Sequence, residues 1–70
     1  MQNLDALKDI VKRIDAELES VSKEKDPTSI SESERALFRF LTELQMLAPR
    51  VGEDLSKAVQ TRRQQVARGE

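Results

Sequence analysis

Apolar residues near the N-terminus recur with alternating spacings of three and four residues. They are Leu4, Leu7, Val11, Ile14, Leu18 and Val21. This spacing is the a/d heptad pattern of a helix that packs along its length against another helix. The pattern resumes later in the chain at Leu37, Leu41, Leu44, Ala48, Val51, Leu55 and Ala58. The sequence therefore predicts an all-α protein built from amphipathic helices that pack side by side.

The size of the chain limits how it can be stabilised. Seventy residues allow one domain, which we assign to residues 1–70 as a single helical domain. A domain this small has little apolar surface to bury as a monomer. The chain has no cysteine for disulfides and no histidine for the usual zinc ligand sets. We therefore expect association with a second copy or with another protein to add stability.

The first helix is expected at about residues 4–24. Asn3 is a suitable N-cap for it, since its side-chain oxygen can accept a bond from a free backbone N–H group. Pro27 should end the helix at or before Asp26, because the residue before a proline disfavours the helical conformation.

A loop is expected at residues 25–31, followed by a second helix at about 32–48. Ser31 and Glu34 have the spacing of a capping box at a helix start. A connection this short favours antiparallel neighbours, so we predict a helical hairpin.

The helical pattern is interrupted at Pro49, where we predict a break or strong kink. Gly52 follows, and a third helical segment is expected at about residues 53–66, with a frayed C-terminus at 67–70. The alternative is a kinked continuation of the second helix, because the heptad spacing runs through Pro49 without a skip.

The second helix has a broader apolar face than a two-stranded seam requires. Phe38, Phe40 and Leu47 fall outside its a and d positions, which are all that a coiled-coil pair needs. A face this wide has to contact two or more neighbours. We predict a homodimer that forms a helical bundle. Its interface anchors would be Phe38, Phe40, Leu44 and Leu47, because large apolar groups contribute most binding energy.

Basic residues are concentrated toward the C-terminus, although the whole chain has a net charge of only −1. Contacts to phosphate groups or other anions are an alternative role for Lys57, Arg62, Arg63 and Arg68. The chain lacks Tyr and Trp for base stacking. A helix-turn-helix around Pro49 would begin its second helix with Glu53 and Asp54, which is unfavourable beside phosphates.

No motif indicates catalysis, a cofactor or a metal site. Ser29, Ser31 and Ser33 have no histidine to serve as a general base, and helix capping explains them. Carboxylate-bridged metal bundles also require histidine beside their glutamates. We therefore expect a protein that is not an enzyme, with no cofactor, metal or small-molecule substrate.

The predicted function is that of a small adaptor or regulator that acts by protein–protein interaction. Its partner would be itself, as a homodimer, or another helical protein. The alternative is a small helical nucleic-acid-binding regulator. No segment is long and apolar enough for a membrane span or a signal peptide, so we expect a cytoplasmic protein without membrane contact.

Overall fold

The computed structural model describes residues 1–69, and within that range the chain forms two helices. Helix α1 spans Gln2–Lys23 and helix α2 spans Pro27–Ala67. No strand occurs among these residues. The all-α class predicted from the heptad spacing is therefore confirmed.

The two helices differ almost twofold in length, and this difference sets the shape of the molecule. At 1.5 Å per residue, α1 is about 33 Å long and α2 about 62 Å. The chain accordingly measures 61 × 19 × 13 Å. A single chain is thus extended rather than compact.

Helix α1 lies along the first two thirds of α2 and runs in the opposite direction. Near the start of α1, Asn3 Nδ2 donates a hydrogen bond of 3.0 Å to Asp54 Oδ2. Near its end, Val21 lines the same groove as Leu37. Residues 56–69 extend beyond α1, and we call them the C-terminal arm. The arm contains about 18 Å of helix without cover from α1.

The connection between the helices is shorter than predicted. Helix α2 begins at Pro27, so the loop expected at 25–31 and the helix start expected near Ser31 are wrong. The Asp26 side chain caps α2 by accepting a hydrogen bond of 3.2 Å from the Thr28 backbone N–H. Aspartate is a favoured N-cap. Proline is well tolerated at the first helical position, because the backbone N–H that it lacks would have no hydrogen-bond partner within the helix.

The N-cap predicted at Asn3 is also wrong. Helix α1 begins at Gln2, and no side chain caps it. Asn3 lies inside the first turn, where its amide contacts Asp54 of the neighbouring helix instead. The bond between the two helices takes the place of the local capping bond.

Pro49 does not break the helix, and the predicted third helix at 53–66 is part of α2. A proline inside a helix removes one backbone hydrogen bond and costs about 3 kcal/mol. Packing of the turn that follows Pro49 offsets this cost, since Val51 is buried and Asp54 is bonded to α1. The helix ends at Ala67, while residue 70 of the expected frayed end lies outside the described range.

Helix α1 packs on α2 through part of the predicted a/d pattern. The half-buried members of that pattern are Leu4, Leu7, Ile14 and Val21. Ile10, outside that pattern, is buried at 6% exposure. Its heptad neighbours Val11 and Leu18 are 46% and 51% exposed. The face of α1 toward α2 therefore keeps part of the heptad prediction but is turned toward Ile10 and away from Val11 and Leu18.

Helix α2 likewise keeps part of the predicted pattern, since Leu37 and Leu44 are half-buried and Val51 is buried. Phe40 and Leu47 are half-buried, whereas Leu41 and Leu55 are exposed. Turning Phe40 and Leu47 toward α1 covers more apolar surface than turning Leu41 and Ala48 would, and apolar burial favours the larger side chains. Leu41, Ala48 and Leu55 are left on an open face of the helix pair.

Candidate functional site

An apolar groove of about 380 Å³ lies between α1 and α2 on one face of the molecule. Helix α1 contributes Ile14, Leu18 and Val21. Helix α2 contributes Ile30, Glu34, Leu37, Phe38 and Leu41. Glu34 is the only charged residue among them, so the groove suits apolar side chains.

The walls of the groove expose large apolar side chains to solvent. Leu18 is 51% exposed, Phe38 62% and Leu41 41%. The same type of surface continues along α2 with Leu55, and onto the C-terminal arm with Val59 and Val66, all exposed. Contiguous apolar surface of this kind marks interaction sites in soluble proteins.

The structure separates the four predicted interface anchors. Phe38 lies in the groove, where most of its surface is open. Phe40, Leu44 and Leu47 are half-buried and follow the face of α2 that contacts α1. Phe38 is thus the only one of the four that lines the groove.

Sequence reasoning missed several groove residues for identifiable reasons. The sequence prediction puts Ile30 in a loop, because it starts the second helix near Ser31 and not at Asp26–Pro27. The heptad prediction puts Leu18 and Leu41 in the seam between the helices. Heptad spacing alone does not decide whether these residues or their immediate neighbours along the chain face the other helix. The Asp-Pro pair is a signal that could have placed Ile30 on the helix.

The opposite face has a second and smaller depression of about 240 Å³. Ile10, Met46 and Leu47 line it together with Glu43 and Arg50. Two charged side chains at a smaller site make it less suited to an apolar partner than the groove is.

The four predicted anion-binding residues all lie on the C-terminal arm. Lys57, Arg62, Arg63 and Arg68 are exposed, and none forms an ion pair within residues 1–69. Spacings of five, one and five residues spread them around the helix instead of along one line. The arm is therefore a diffuse positive surface.

The outer face of α1 has two ion pairs at the spacing of one helical turn. Arg13 contacts Asp9 at 3.1 Å, and Lys23 contacts Glu19 at 3.0 Å. Such exposed pairs contribute a few tenths of a kcal/mol. No cluster of three potential metal ligands occurs in the part of the chain that the structure describes.

No protein-family model, curated protein or solved structure has significant similarity to this chain. Across residues 1–69, neither helix combines the length and the apolar character needed to cross a membrane. The groove, the exposed apolar residues and the distribution of charge are therefore the features that bear on function.

Proposed function

We propose that this protein is a small protein–protein interaction module that binds an amphipathic helix in the apolar groove. The observation that supports the proposal is the exposure of Leu18, Phe38 and Leu41 around a groove with one charged residue. A helix with an apolar stripe would cover these side chains and leave its polar face in water. The protein would act by assembly and would have no catalytic role.

A partner helix would complete the hairpin of α1 and α2 into a helical bundle. Only Ile10 and Val51 are buried among residues 1–69, so the hairpin alone has a small core. Covering the exposed half of a leucine or phenylalanine contributes about 1 kcal/mol. Several such side chains in one groove give a partner helix a favourable site.

Site-specific photocrosslinking in the cells that produce the protein tests the proposal. A benzophenone amino acid at Leu18 would lie at the groove, and one at Ala16 would lie about 160° away around α1. We expect a protein adduct from position 18 and none from position 16, with the captured chain identified by its peptides. Equal labelling from both positions, or none from position 18, would contradict the proposal.

A second candidate function is binding to nucleic acid through the C-terminal arm. The observation that favours it is the charge of residues 56–69, which contain four basic residues and no acid. Binding through phosphates should weaken steeply as salt rises, because counterions compete for the same contacts. Titration with RNA and with DNA at two salt concentrations tests this function, and failure to bind at low salt excludes it.

A further inference from the structure

We infer that the helix bound in the groove belongs to a second copy of this chain, which docks antiparallel about a twofold axis at Ala48. This inference rests on the proposed function of the groove and names its partner. Three observations support it: the order of apolar residues along α2, the distribution of charge, and the position of the C-terminal arm.

Helix α2 has an apolar stripe that does not face α1. The stripe consists of Ile30, Leu37, Leu41, Ala48, Leu55, Val59 and Val66. Successive members are four or seven residues apart, and these spacings keep side chains on one side of a helix. All of them are exposed except Leu37, which is half-buried and lines the groove.

The spacing of the stripe reads the same in both directions. Starting from Ala48, the next members lie seven, eleven and eighteen residues away toward either end. When two stripes meet antiparallel at Ala48, each apolar residue therefore lies level with another. The matched pairs are Ile30 with Val66, Leu37 with Val59 and Leu41 with Leu55.

Such a palindrome is what a twofold interface requires. In a twofold dimer the same surface is used by both copies, so residue i contacts j and j contacts i. A partner of different sequence would impose no symmetry on this chain. Ala48, the smallest member of the stripe, lies where the two helices would meet on the axis, which allows them a close approach.

The two ends of the molecule have opposite net charge, which also favours antiparallel docking. Residues 17–34 at one end contain six acidic and two basic side chains, a net −4. The C-terminal arm at the other end contains four basic side chains and no acid, a net +4. The side chains of the segments between them, 1–16 and 35–55, sum to zero. Antiparallel docking places each +4 end beside a −4 end, whereas parallel docking places like charges together.

The C-terminal arm then fills the groove of the other copy. Val59 lies level with Leu37, and Val66 lies level with Ile30, both of which line the groove. Glu34 at the groove of one copy lies level with Arg62 of the other copy and one residue from the level of its Arg63. A pair of opposite charges can therefore form beside the apolar contact. A single arrangement thus covers the stripe, the groove and the arm.

The first experiment measures the dissociation constant of the full-length protein by sedimentation equilibrium. Val59→Asp removes an apolar contact of the dimer but lies beyond α1, so it leaves the packing of α1 on α2 intact. Gln60→Asp introduces the same charge on the adjacent residue, away from the stripe. We expect a dimer, weakened on the order of 100-fold by Val59→Asp and by no more than about 3-fold by Gln60→Asp.

The second experiment tests the orientation with single cysteines in a chain that has none. Ala48→Cys places a thiol on the proposed axis, where two copies can form a disulfide. Val59→Cys is the control on the same stripe, since eleven residues from the axis the two thiols would be about 33 Å apart along the helices of an antiparallel pair. We expect oxidation to link the first variant into dimers and to leave the second unlinked.

Several results would overturn the inference. Linking through Val59→Cys would indicate parallel copies, and equal effects of the two aspartate variants would place the stripe outside the interface. A chain that stays monomeric while position 18 photocrosslinks to another protein would remove the second copy as partner but leave the proposed function standing. Loss of the crosslink at position 18 would instead contradict the proposed function itself.

Discussion

Phe38 and Phe40 are two residues apart on α2 and have different surroundings. A separation of two residues turns a helix by about 200°, so the two rings cannot face the same neighbour. Phe40 is half-buried on the side that contacts α1, and Phe38 is 62% exposed in the groove. One ring therefore supports the helix pair, while the other is available to a partner.

Aspartate substitutions should separate these two roles. Phe40→Asp places a charge between α1 and α2 and should lower the free energy of unfolding by about 2 kcal/mol or more. Phe38→Asp should leave the helix content unchanged and weaken association. Circular dichroism with urea titration measures the first effect, and sedimentation measures the second. Equal loss of helix content in both variants would contradict the assignment.

Gly52 is a helical position where a side chain has free space. A Cβ atom built there would have no neighbour within 4 Å. Gly52→Ala should therefore raise the free energy of unfolding by about 0.5–1 kcal/mol, because glycine loses more backbone entropy in a helix. Gly69→Ala is the control, since Gly69 has a φ of +83° that alanine disfavours. Urea denaturation of both variants checks the difference.

The start of α2 depends on a short capping motif. Asp26 accepts hydrogen bonds from the Thr28 backbone and from the Ser29 hydroxyl, each at 3.2 Å. Asp26→Ala should cost about 1 kcal/mol of stability because the first turn of α2 loses its cap. Ser31→Ala is a useful control, since Ser31 lies within the helix and was predicted to be the cap. A larger effect of Ser31→Ala in urea denaturation would show that the helix starts later in solution.

At the level of elements, sequence patterns predicted the helices better than their ends and facing sides. The heptad residues lie within the two helices, although the second helix was expected to break at Pro49. Pro49 was misjudged because local rules give the cost of a proline but not the packing of Val51 that offsets it. The groove is not predicted for a related reason. Either Phe40 or Leu41 can face α1, and this choice decides which side of α2 remains exposed.

At the level of the whole molecule, charge and apolar surface are arranged along one 61 Å axis. The acidic end holds the groove, and the basic end is the C-terminal arm. In an antiparallel dimer these ends attract each other in solvent-exposed surroundings, where dissolved ions screen charges beyond a distance of about 10 Å at 0.1 M salt. The apolar stripe supplies contacts that salt does not screen.

The dimer should consequently weaken as salt increases. Between about 0.05 and 0.5 M sodium chloride we expect the dissociation constant to rise several-fold, since the attraction between the ends is screened. Replacing both Arg62 and Arg63 with Gln should weaken the dimer at low salt and reduce this dependence. Sedimentation at each salt concentration measures both trends. A dissociation constant that falls with salt would contradict the role of the charged ends.

The uncovered arm also has a consequence for backbone dynamics. Its roughly twelve helical residues extend beyond α1, and isolated helices of that length are marginal in water. Amide hydrogens in the arm of a free chain should exchange with solvent much faster than those around Val51, where α1 covers the helix. Docking of a partner on the arm would slow that exchange, so deuterium uptake in residues 56–69 would report directly on the fraction of chains that are assembled.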